Sequence, residues 1–182
     1  MGLFYTGKGD EGISEVWDGK KLDKTSAGIA ALGDLDELGS FLGLLRSRTP
    51  DKNNKKIIIS VQEDLFIIQA NLYFSLIGKE EKAPLLGEEK IRMIERIIDT
   101  FEAFVGPERG FILTGESQEE AWLDLTRAVA RRAERSVLTL HKERPLPPNI
   151  LGYLNRLSSL LFAMARGAAK KQGRKEHKPK YK

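Results

Sequence analysis

With 182 residues, 41% of them hydrophobic, the chain is long enough to bury one sizeable core without disulfide or metal support. It has no cysteine, which removes disulfide frameworks, thiolate nucleophiles, zinc–sulfur sites and iron–sulfur clusters, and fits a reducing cytoplasm. The net charge of +4 is unevenly spread: residues 170–182 hold seven Lys or Arg against one Glu, which leaves the rest of the chain at −2 and reads as a solvated terminus rather than a basic fold.

The opening residues, Met1-Gly2-Leu3-Phe4-Tyr5-Thr6, lack a basic segment followed by an apolar run, so no secretory leader is expected. Up to about residue 20, glycine and short polar residues dominate, from Gly7, Gly9 and Gly12 to Asp18-Gly19, and the expectation is a glycine-rich loop with no convincing strand. From Ser26 to Arg48, Ile29, Leu32, Leu35, Leu38, Leu42 and Leu45 recur at three- and four-residue steps, as a core-facing helix requires. A second helix is expected over Lys55–Ile77, ending near Gly78. It includes the longest apolar stretch, yet Gln62, Glu63, Asp64, Gln69 and Asn71 make it a poor bilayer span, and no membrane contact is expected. A third helix covers Glu88–Phe104, and a fourth begins at a capping box formed by Ser117 and Glu120 and runs to about His141. Pro145, Pro147 and Pro148 separate it from a fifth, whose apolar face is Leu151, Leu154, Leu157, Leu161 and Met164. The fold class is therefore all-α, a five-helix up-and-down bundle with an N-terminal glycine-rich loop: one domain over 1–169 and a flexible basic tail over 170–182.

Three segments could carry chemistry. In the first, Gly7, Gly9 and Gly12 let the backbone turn tightly and aim N–H groups at an anion, while Thr6, Lys8, Ser14 and Lys24 add hydroxyl and ammonium donors; polyphosphate is the natural occupant. No Gly-Lys-Ser/Thr follows with P-loop spacing, so this is not a Walker A loop, and an ordinary N-terminus is the competing reading. In the second, Arg127, Arg131, Glu134 and Arg135 fall at i, i+4, i+7 and i+8 of the fourth helix and share a face; a self-repelling arginine run needs counter-anions from Asp124, Glu134, a neighbouring carboxylate or a phosphate ligand. A solvated face of ion pairs is the alternative. In the third, Asn155 and Ser159 line up beside the apolar face of the fifth helix, where an amide can bind a nucleotide or bridge two helices.

Taken in order, these segments resemble the PduO-type ATP:corrinoid (cob(I)alamin) adenosyltransferase family. Thr6-Gly7-Lys8-Gly9-Asp10-Glu11-Gly12 looks like that family's phosphate loop, with Lys24 at the place of its following lysine; Gly33-Asp34-Leu35-Asp36-Glu37-Leu38 resembles the signature of its first helix; Phe111-Ile112-Leu113 with Gly115, then Arg127 to Arg135, then Tyr153-Leu154-Asn155-Arg156-Leu157-Ser158 complete the likeness. The resemblance implies a homotrimer with active sites between subunits that transfers the 5′-deoxyadenosyl group of ATP to cobalt(I) of cobalamin, giving adenosylcobalamin and triphosphate. The substrates would be ATP with Mg2+ and the corrinoid, with magnesium held through ATP rather than by a protein side-chain cluster. By the same likeness Thr6, Gly7, Lys8, Gly9, Asp10, Gly12, Ser14, Lys24, Arg131, Arg132, Glu134, Arg135 and Asn155 would bind ATP. Asp36 and Arg127 would form a salt bridge near the corrinoid, with Arg127, Arg131 and Asp36 as the catalytic set, and Phe111 would sit beneath the corrin ring. A corrinoid reductase and an adenosylcobalamin-dependent enzyme are the implied partners, in the cytoplasm. The chain departs from the family pattern at Gly28, Ala30, Thr114 and Ser159.

Two other readings compete. A non-enzymatic helical module that binds ATP, or RNA or an acidic partner through its arginine face and basic tail, predicts steep salt dependence, but the aromatic residues fall mostly in apolar stripes and offer little stacking platform. A ferritin-like metal bundle needs Glu-x-x-His pairs, and His141 and His177 lie in none.

Overall fold

The computed structural model describes residue 5 and residues 7–16, 19–106, 110–175 and 177–181. Five helices dominate: α1 (Ala27–Arg48), α2 (Lys52–Ile77), α3 (Glu88–Val105), α4 (Gln118–Glu143) and α5 (Pro148–Lys171). Ser26 caps α1, Asp51 accepts from the N–H groups of Asn53 and Asn54 to cap α2, and Ser117 accepts from Glu120 N–H to cap α4. The Asp51 cap starts α2 three residues before the expected Lys55, because a capped polar first turn carries no apolar period to read. Gly78, in the left-handed region at φ 72°, ends α2, and its terminal carbonyls at Ser75 and Leu76 accept from Arg144 Nη1 (3.1 Å) and Lys20 Nζ (2.7 Å).

One expectation is corrected. The leader is not strandless: β1 (Ile13–Glu15) pairs antiparallel with β2 (Lys21–Asp23), Ser14 opposite Leu22. Strands of three residues are too short to display the period of two, and only the pairing partner reveals them. A single 3-10 turn over Glu80–Lys82 also joins α2 to α3.

Helix α4 lies between α1 and α5, α2 packs on the other side of α1, and α3 packs on α5. The shared core is Leu35, Leu38 and Leu42 of α1, Leu65, Ile68 and Leu72 of α2, Leu123, Val137 and Leu140 of α4, and Ile150, Leu154, Leu157 and Leu160 of α5. Packing at two helix glycines is close: a Cβ on Gly28 would fall 2.2 Å from Leu76 Cδ2 and one on Gly167 would fall 2.6 Å from Phe101 Cδ1, so a side chain at either position requires Leu76 or Phe101 to shift. The departure at Gly28 therefore belongs to the seat of α1 on the end of α2.

By length and composition α2 is apolar enough to cross a membrane. Here its inward face packs in the core, and its buried Asp64 is compensated there: Asp64 receives Tyr153 Oη at 2.9 Å and pairs with Lys90 Nζ at 2.7 Å, joining α2 to α5 and α3. Burial, then the neighbouring carboxylate, pushes the Tyr153 phenol above its ordinary value, and the hydrogen bond to Asp64 raises Lys90. Beyond α5, the Leu113 N–H donates to the His177 carbonyl at 2.7 Å and His177 Nδ1 lies 2.7 Å from Glu116 Oε1, so the described tail residues run along the segment that leads into α4.

Candidate functional site

Two grooves hold six of the site residues singled out by the sequence. The first, about 980 Å3, lies between the leader and the C-terminal end of α2 and is lined by Lys8, Gly9, Ser14 and Lys24, opposite Tyr73 and Phe74. Gly7 and Gly12 adopt φ of 71° and 77°, a region open to glycine at no steric cost, and they fold the loop so that Gly12 N–H reaches Gly9 O (3.3 Å) and Lys24 N–H reaches Gly12 O (2.8 Å). Asp10 N–H donates to Gly7 O in the same turn. The Lys24 ammonium lies across the loop, 2.6 Å from Gly9 O, and a Cβ on Gly9 would come within 2.8 Å of it. Lys8 Nζ pairs with Glu15 at 3.0 Å. Thr6 lies outside the described residues. Lys79 and Lys82, on the turn after α2, add two cations that the sequence reading did not single out.

The second groove, about 880 Å3, opens between α3, α4 and α5, with Arg127, Arg131, Ser158, Ser159 and Phe162 on its walls. Arg127 Nε donates to Asp124 Oδ1 at 3.0 Å, one of the counter-anions the arginine run requires. Arg131 and Arg135 are exposed and form no ion pair with a described residue. Glu134 Oε1 accepts from Asn155 Nδ2 (2.9 Å), and Asn155 Oδ1 accepts from Arg156 Nη1 (2.9 Å), so the acid and amide of the two sequence segments meet at the α4–α5 seam.

A family model described as cobalamin adenosyltransferase matches residues 4–168. The chain belongs to that family. It is 34% identical over 162 residues to the corrinoid adenosyltransferase PduO of Salmonella typhimurium, covering 89% of the chain but only 48% of that relative, so it spans about half of the relative's length. It is 33% identical over 166 residues to a corrinoid adenosyltransferase of Citrobacter freundii, covering 91% of the chain and 94% of the relative. Among solved structures, a variant PduO-type ATP:corrinoid adenosyltransferase from Lactobacillus reuteri, complexed with cobalamin and ATP, superposes with a TM-score of 0.91 at 27% identity, over 97% of this chain and 96% of that one.

Within this member of the cobalamin adenosyltransferase family, three groups stand apart from the two grooves. Arg132 turns toward α1, where it pairs with Glu37 and, at 3.5 Å, with Asp34; the hydrogen bond it donates to Glu37 holds its guanidinium above the ordinary value. Ser136 donates to Asp34 in the same cluster, which joins α1 to α4. Asp36 faces a smaller recess between α1 and α2, beside Phe66 and Gln69. The expected pair between Asp36 and Arg127 is consequently not formed within one chain: α1 lies between α2 and α4, and Arg127 projects from the opposite side of α4, where Asp124 takes it. Phe111 is 80% exposed, on the segment before α4. The two grooves have no described lining residue in common, so the described leader residues and the α4 arginines line separate grooves within one chain.

The sequence reading missed one buried network at the second groove, made by Glu120, Asp124 and Arg166. A signal was present: Arg166 is the one full charge in a run of small and apolar residues, from Ala163 to Ala169, and Glu120 and Asp124 are four apart on α4.

Proposed function

We propose that the chain is an ATP:cob(I)alamin adenosyltransferase. The likeness to the Lactobacillus reuteri enzyme complexed with cobalamin and ATP, over nearly the whole chain, is the observation that carries this reading. The lone pair of cobalt(I) attacks C5′ of the ribose, the cobalt–carbon bond forms, the C5′–O bond breaks, and triphosphate leaves with the electron pair on its oxygen. The nucleophile is the metal of the substrate, so the protein needs no base; it must orient C5′ and follow charge onto the leaving group.

Exposed Arg131 and Arg135 on α4, and Lys8 and Lys24 beside the glycine turns, are the donors suited to the triphosphate, with Ser14 and the loop N–H groups of Gly7 and Gly9 beside them; by the family likeness Thr6 would join them, while Asp10 and Gly12, whose N–H groups are held by turn carbonyls, would shape the loop. Glu134 and Asn155 would meet the nucleoside. Because the two groups occupy separate grooves in one chain, this reading needs a homotrimer whose leader from one subunit closes on α4 of the next, the arrangement in which Asp36 would also reach Arg127 across the interface. In the same reading Arg132 acts through the α1–α4 ion cluster, and Phe111 supplies an apolar wall that disfavours water as an axial ligand of cobalt. Magnesium would arrive on the triphosphate oxygens. Residues 1–169 would be the catalytic domain and 170–182 an accessory tail. A corrinoid reductase, a dependent enzyme and the cytoplasm complete the proposal, and the named relatives favour it over an RNA-binding or acidic-partner module.

Anaerobic mixing of the protein with ATP, magnesium and chemically reduced cobalamin tests it. The absorbance change of cobalt–carbon bond formation is expected; its absence at full occupancy would overturn the reading.

A further inference from the structure

Around position 166, α5 is built of small and apolar residues, with Ala163, Met164, Ala165, Gly167, Ala168 and Ala169 all buried. Arg166 sits among them with its side chain 7% exposed, and an ionised group so placed must be compensated. Its Nη2 lies 3.0 Å from Glu120 Oε1 and 2.6 Å from Asp124 Oδ2, and its guanidinium carbon lies 5.1 Å from the centre of the Phe162 ring. Glu120 is wholly buried and Asp124 nearly so.

Each carboxylate uses one oxygen for Arg166 and the other for a different part of the candidate site. Asp124 Oδ1 accepts from Arg127 Nε at 3.0 Å. Glu120 Oε2 accepts the backbone N–H of Glu116 at 3.0 Å, in the segment that runs from Phe111 into α4. We propose that Arg166 is a positioning residue for adenosyl transfer: through Asp124 it sets the Arg127 guanidinium, and through Glu120 it sets the Phe111-bearing segment, so both corrinoid-facing elements hang on one buried anchor. This rests on the functional reading above. A guanidinium can serve two carboxylates in fixed directions, whereas an ammonium at the same place balances the charge without holding both.

Steady-state kinetics of wild type, Arg166→Lys, Glu120→Gln and the double variant, with corrinoid and ATP varied separately and rates normalised to folded protein, test the proposal. Arg166→Lys is expected to lower kcat/KM for the corrinoid by about tenfold or more while the KM for ATP stays within about twofold, and the double variant is expected to be no worse than the more severe single one. Corrinoid and ATP parameters that fall together with the folded fraction, or single effects that multiply in the double variant, would overturn it. Should Arg166→Lys not fold, Glu120→Gln decides: a selective corrinoid defect supports the anchor and an unaltered value overturns it. An inactive wild type would sink the functional reading and this inference with it, whereas an active wild type matched by Arg166→Lys would sink this inference alone.

Discussion

The arginines of α4 and the lysines of the leader are both cations beside open grooves, yet they are held in unlike ways. Arg127 is braced from behind by Asp124, which is itself locked to buried Arg166, and the whole set rides on a 26-residue helix packed on α1 and α5. Lys24 and Lys8 are braced by a turn carbonyl and by an exposed Glu15, on a hairpin with three-residue strands. The first arrangement derives its geometry from the core; the second derives it from glycine torsions and a few solvent-exposed bonds. A site assembled from one of each has a rigid half and a half whose order depends on local backbone chemistry.

The largest effect should come from the rigid half. Arg131 is exposed and forms no ion pair with a described residue, so Arg131→Ala breaks no ion pair among them; kcat should fall about 10²–10³-fold with the circular dichroism spectrum unaltered. Near-normal turnover would hand the leaving-group role to other cations. Next, Tyr153→Phe removes the hydroxyl donor to buried Asp64 and should cost about 1–3 kcal/mol in denaturant unfolding, leaving the activity of the folded fraction intact. An unchanged midpoint would mean that the Asp64 cluster does not brace the helices.

In the leader, Lys24→Ala should raise the KM for ATP about tenfold, equivalent to roughly 1.4 kcal/mol, without moving the unfolding midpoint. Gly9→Ala, whose Cβ would crowd the Lys24 ammonium, should shift KM the same way by less. If either substitution unfolds the chain, the leader is as integral to the core as α4 and the contrast is lost.

The smallest effect is one of pH. Asp51, at the start of α2, is held at about 2, below its ordinary 3.8, first by the hydrogen bond from Lys171 and then by the Asn54 N–H. A depressed carboxyl stabilises the fold above its unfolded pKa, and that contribution fades as pH falls from about 4 toward 2. Melting curves of wild type and Asp51→Asn should differ near about pH 6 and converge over that window, by an amount that added salt reduces. A gap that persists below about pH 2 would assign the effect to the helix cap alone.

The contrast between the two regions also governs what could be read beforehand. Helices α1, α3 and α4 announce themselves through apolar steps of three and four residues and through the caps at Ser26 and Ser117, which are local signals. The β1–β2 hairpin does not, because its identity lies in a pairing. Arg127 and Arg131 were legible as one face of a helix, and both line the same groove. Arg132, adjacent in sequence and assigned to the same ligand, turns instead to Asp34 and Glu37, since a step of one residue rotates a side chain toward a different neighbour.

Sequence alone determined the number and order of the helices, the glycine-bearing turn and the cationic stripe, because each depends on residues a few positions apart. Only the tertiary structure decided that Asp124 rather than Asp36 takes Arg127 within the chain, that Gly28 makes room for Leu76, and that Arg166 is shared by Glu120 and Asp124. Those outcomes depend on which helix faces come together, and helix packing is set by the whole buried surface rather than by any segment of it.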